Sequence, residues 1–131
     1  MILKENKTNF TIEINKTNKS EGLAKGDKWC HVTCHINNSK FNITLDDNIL
    51  STQEIEQLIN ELNDFINNKN HKKKRISFIK NFIIIYLSTI NHSQKIAKIK
   101  FVHLGAKKEN YIIQLEENEL KELINILNKK D

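Results

Sequence analysis

Leu50-Ser51-Thr52-Gln53-Glu54-Ile55-Glu56-Gln57-Leu58-Ile59-Asn60-Glu61-Leu62 decides how the chain is to be read. Ser51 and Glu54 stand at the two key positions of a capping box. The serine hydroxyl can accept from the Glu54 N–H while the Glu54 carboxylate reaches back to the Ser51 N–H. Leu50 and Ile55 hold the flanking staple positions. Beyond them Ile55, Leu58, Ile59, Leu62, Phe65 and Ile66 recur at helical spacing, with Glu, Gln, Asn and Asp between. The spacing predicts a helix over 52–67 whose one apolar stripe must be covered.

Upstream, the period changes to two. Phe10, Ile12 and Ile14 alternate with polar residues in a first strand over 8–15, and the polar segment 15–28, with Gly22 and Gly26, reads as a long loop. From Trp29 the chain alternates again. Cys30, Val32, Cys34 and Ile36 share one face, and Trp29, His31, Thr33 and His35 share the other. Asn37-Asn38-Ser39 is turn-forming, Phe41, Ile43 and Leu45 make a third strand, and Asp46-Asp47-Asn48 breaks it before the helix.

Downstream, 67–74 is a loop by composition, and 75–80 and 82–88 read as two strands joined near Lys80-Asn81. Phe82 to Leu87 is apolar on both faces, as expected of a strand in the middle of a sheet. Ala97, Ile99 and Phe101 alternate with Lys98, Lys100 and Val102, Gly105 to Lys108 turns the chain, and Tyr111 to Leu115 is the last strand. A second amphipathic helix follows over 117–128. Leu115-Glu116-Glu117-Asn118-Glu119-Leu120 to Leu127 lies over Leu50 to Leu62 at an offset of 65 residues, with Glu119 on Glu54. Duplication of a hairpin–helix unit gives such a match, and so does shared helical periodicity. The expected fold is α+β: one domain over 1–131, with an antiparallel sheet of about six to seven strands and two amphipathic helices.

The chain has 131 residues, 38% hydrophobic and 28% charged, which is globular in character. Its formal net charge is +5, and all of its 21 basic residues except Arg75 are lysine. A basic surface suits acidic partners. A specialist reader of nucleic acid, however, carries arginine for bidentate contacts. No apolar run approaches the roughly 18 residues of a membrane helix, and Met1 to Glu5 lacks the apolar core of a signal peptide. Two cysteines without such a signal indicate a reducing cytoplasm.

Cys30-His31-Val32-Thr33-Cys34-His35 resembles a metal site only until it is placed on a strand. Side chains alternate, so the thiols and the imidazoles face opposite ways. Cysteines four apart on a strand are also on the order of 13 Å apart, too far for one zinc ion or a disulfide. No metal and no cofactor are expected. Trp29, His31 and His35 form one candidate partner-binding patch, since tryptophan is a favoured interface anchor, and the alternative packs Trp29 beneath the 16–28 loop, since large aromatics are mostly buried. The basic run His71, Lys72, Lys73, Lys74 and Arg75 forms another, suited to phosphates or an acidic protein face. There is no P-loop, dinucleotide turn or nucleophile elbow. No enzyme is expected.

The order of Trp29 with its alternating strand, Phe41 to Leu45, the Leu-Ser-Thr-Gln-Glu-Ile start at 50–55, Phe78 to Leu87 and the closing Tyr-Ile-Ile-Gln-Leu-Glu-Glu-Asn-Glu-Leu at 111–120 resembles the WapI-type immunity proteins over 8–128. That resemblance implies a small bacterial cytoplasmic protein that neutralises a cognate polymorphic toxin by binding it. It carries no toxin-contact residue over. The basic charge departs from the habit of such proteins, so the toxin surface is expected to be acidic or mostly apolar. A basic nucleic-acid-binding module is the alternative, and an interaction domain of unassigned role stands behind it.

Overall fold

A computed structural model describes residues 2–3, 8–20, 28–37, 42–67, 73–90, 94–104 and 109–129. In chain order the elements are β1 (Ile2–Leu3), β2 (Thr8–Ser20), β3 (Trp29–Asn37), β4 (Asn42–Ser51), α1 (Thr52–Asn67), β5 (Lys74–Ile76), β6 (Ile83–Ile90), β7 (Gln94–Leu104), β8 (Glu109–Glu116) and α2 (Glu117–Asn128). The α+β class and both helices are as expected. The strands divide between two four-stranded antiparallel sheets, in the orders β1-β2-β3-β4 and β5-β6-β7-β8. Each half of the chain is therefore a meander closed by a helix, and the sequence match at an offset of 65 covers the second hairpin and helix of each.

Both helices begin as their sequences dictate. Ser51 N–H donates to Glu54 Oε1 at 3.1 Å, and Glu54 N–H donates to Ser51 Oγ at 3.1 Å. A box of this kind contributes about 1 kcal/mol to a helix. In α2 the same places are held by Glu116 and Glu119, and the Glu119 carboxylate accepts from Glu116 N–H at 3.1 Å.

Alternation selects what each sheet buries. In the second sheet, Ile76, Ile85, Ile99 and Ile113 stand opposite one another across all four strands, and all are buried. In the first, Cys34 pairs Ile12 and Leu45, and Ile36 pairs Phe10 and Ile43. These inner faces share one hydrophobic cluster with Ile55, Leu58, Leu62 and Phe65 of α1 and Leu120, Leu123, Ile124 and Leu127 of α2. The Phe10 and Phe101 rings meet between the sheets at 5.8 Å. Strand β6 is interior to its sheet, as its apolar run predicts, and Ile83, Ile85 and Leu87 point inward.

Several boundaries differ from the sequence reading. Strand β2 continues to Ser20, into the segment expected to be loop, because Ser20 pairs with Trp29. Strand β4 runs through Asp46-Asp47-Asn48 to Ser51 instead of ending at Leu45, because those residues pair with Thr33, Val32 and His31. A bulge then places Ile49 between the pairs His31–Asn48 and Cys30–Leu50, so Ile49 and Leu50 are both buried. Strand β5 is only three residues long, and 77–82 connects it to β6. Of the turns expected at 37–39 and 105–108, Asn37 ends β3 and the rest lies outside the described residues.

A buried polar contact helps to tie the halves together. Lys95, on the inward face of β7, is 9% exposed and donates to the Phe65 carbonyl at 2.6 Å and to the Ile66 carbonyl. Helix C-termini leave carbonyls without intrahelical partners, and a cation there also meets the negative end of the helix dipole. Lys95→Met should destabilise the protein by about 1–3 kcal/mol through the carbonyls it orphans. A urea-denaturation midpoint equal to that of the wild type would show that this contact contributes nothing.

Candidate functional site

The bulge that buries Ile49 also decides the fate of the first candidate patch. Alternation puts Trp29 outward beside His31 and His35, yet Trp29 and Cys30 are both buried where β3 crosses the irregular part of β4. The Lys80 ammonium lies 4.4 Å from the centre of the indole ring, in cation–π contact, and donates to the Asn48 carbonyl. Trp29 thus fastens the 77–82 connection to the first sheet.

His31 and His35 remain on the outer face, and each is held by β4. His31 Nδ1 bonds Asn48 Oδ1 at 2.9 Å and His31 Nε2 bonds Asp46 Oδ1 at 2.5 Å, while Thr33 Oγ1 donates to the same carboxylate oxygen at 3.0 Å. His35 Nδ1 pairs with Thr44 Oγ1 at 2.9 Å. Two acceptor oxygens on one imidazole favour the form that carries both protons. The bonds to Asn48 and then Asp46 accordingly raise the His31 pKa above 6.5, and the bonds from His31 and Thr33 lower that of Asp46. The reading from sequence missed Asp46, Asn48 and Thr44. Continuing the alternation of β3 into a hairpin register through Asp46 would have found them.

Cys30 and Cys34 lie inside the core, and burial pushes the Cys34 thiol up to about 12. Thiols inside and imidazoles outside is the division that alternation requires. Among the described residues no three His, Cys, Asp or Glu side chains come together as a metal-binding group. No helix of the described residues is long and apolar enough to cross a membrane.

The second candidate patch is only partly described, since His71 and Lys72 lie outside the described residues. Lys73 is exposed ahead of β5, Lys74 forms an ion pair with Glu61 of α1 at 3.0 Å, and Arg75 stands opposite Tyr86. The run is therefore divided: one lysine is bound to a helix carboxylate, and the arginine belongs to the second sheet. Beyond Tyr86 the register continues to Lys98, which is exposed.

In the folded protein His31 should titrate above 6.5, and Asp46→Asn should bring it back toward that value, as read by NMR of the imidazole. A group with a raised folded pKa lends stability that is complete below about 6.5 and fades as pH rises through the folded value. An imidazole titrating at or below the ordinary value would remove the network. Separately, Cys34 should stay unreactive toward Ellman's reagent until the protein unfolds, and rapid labelling of the native chain would contradict its burial.

The family model described as the immunity protein WapI-like family matches residues 1–130, and the chain belongs to that family. Neither a curated protein nor a solved structure matches it.

Proposed function

We propose that the protein is a non-enzymatic immunity protein that binds a cognate bacterial toxin directly and blocks it, acting in the cytoplasm as a single folded unit. The observation that carries this reading is membership of the WapI-like family across 1–130. The described surface is consistent with binding. Side chains on the outer face of β3 and β4 bond one another, the thiols are buried, and Arg75 of β5 and Lys98 of β7 are exposed. A chain of net charge +5 is suited to an acidic partner surface, or to one whose contact is mostly apolar.

Co-expression with the product of the toxin-like reading frame beside its gene is expected to yield a complex that survives gel filtration and to restore growth to cells making the toxin. A toxin that neither co-purifies with the protein nor loses its toxicity in its presence would end the proposal.

A further inference from the structure

The two sheets turn very different faces to solvent. On the first, His31, Thr33 and Asp46 bond one another, as do His35 and Thr44. On the second, strand register builds two adjoining rows. Arg75, Tyr86 and Lys98 stand side by side across β5, β6 and β7. Ile84, Lys100 and Ile112 do the same across β6, β7 and β8. Between these rows the alternate positions, Ile85, Ile99 and Ile113, are buried in the core, so both rows face away from it. Cross-strand neighbours lie about 5 Å apart, which makes the six residues one continuous surface.

Its chemistry is three cations set among an aromatic ring and two isoleucines. Ile112 is 63% exposed, an unusual placement for an isoleucine inside a regular strand. Among the described residues no carboxylate forms an ion pair with Arg75, Lys98 or Lys100. Cations without a carboxylate partner among the described residues, set around an exposed isoleucine and the half-buried Ile84 and Tyr86, match a protein face that is apolar at its centre and acidic around it. Phosphate backbones would use the cations equally well, but outward isoleucines offer bases no stacking platform.

We infer that the outer face of the second sheet, centred on Lys98, Lys100 and Ile112, is the surface that docks an acidic face of the cognate toxin. This assignment rests on the immunity reading. Binding to the purified toxin encoded beside the gene is measured by calorimetry for the full chain and three variants. Lys98→Glu combined with Lys100→Glu should weaken binding about 100-fold, and Ile112→Ala about tenfold, while Thr11→Ala, at an exposed position of the first sheet, leaves affinity unchanged. Wild-type affinity should also fall as salt is raised. These side chains point outward, so thermal unfolding followed by circular dichroism should match the wild type. If the doubly reversed chain fails to fold, Ile112→Ala decides. A wild type that binds toxin and variants that bind it equally well would overturn the surface and leave the immunity reading standing. A wild type that does not bind toxin would overturn both. Binding of a generic single-stranded oligonucleotide that is lost on charge reversal, with toxin affinity unchanged, would overturn the assignment in favour of nucleic acid.

Discussion

Each sheet carries most of its apolar side chains on one face, and each helix along one stripe, so no element can be shielded from water by itself. Closing the two sheets and both helices on a single cluster solves this for all of them together. Phe10 of the first sheet touches Phe101 of the second, and Lys95 of the second half closes the end of the helix that belongs to the first. The fully buried side chains come from both halves, among them Phe10, Leu62, Phe65, Phe101, Leu115 and Leu127. Each buried apolar side chain is worth roughly 1.5–3 kcal/mol relative to exposure, so separating the halves would forfeit many such contributions.

With their inner faces occupied, the sheets have only their outer faces for interaction, and there they diverge. On the first, imidazole, carboxylate and hydroxyl groups are held in bonds between β3 and β4, which stiffens the hairpin and leaves those groups less free for a partner. On the second, Arg75, Lys98 and Lys100 have no ion pair with a carboxylate among the described residues, and Ile112 is exposed beside them. An α+β scaffold that uses one decorated sheet for recognition keeps that surface rigid, because Ile84, Tyr86, Lys98 and Lys100 each sit between two buried neighbours on their own strands.

Much of this was legible in the order of residues. The Ser51–Glu54 box, the helices at 52–67 and 117–128, and the inward cysteines with outward histidines follow from spacing alone, since capping and side-chain alternation are local effects. Other features escaped because partners distant in the chain decide them. Asp46-Asp47-Asn48 reads as a break, but pairing with β3 keeps it in a strand. Trp29 reads as an outward anchor or as a packed side chain, and it is packed, beside a bulge in the neighbouring strand and under the cation of Lys80. Lys95 shares the inward parity of Ala97, Ile99 and Phe101, but its carbonyl acceptors at the end of α1 are distant in the chain. The basic run at 71–75 reads as one patch, and an ion pair with Glu61 divides it.

By itself, then, the amino-acid order determined where the two helices lie, which segments alternate at their centres, and the inward side of each regular stretch. These depend on periods of 2 and 3.6 residues and on contacts within one turn, and local chemistry is sufficient for them. Only the tertiary structure decided that the strands form two sheets instead of one, and that Arg75, Lys98 and Ile112 share a single outer face. Strand pairing is a choice among distant segments of similar pattern. It is settled by which arrangement covers all the apolar faces at once, and no single segment carries that information.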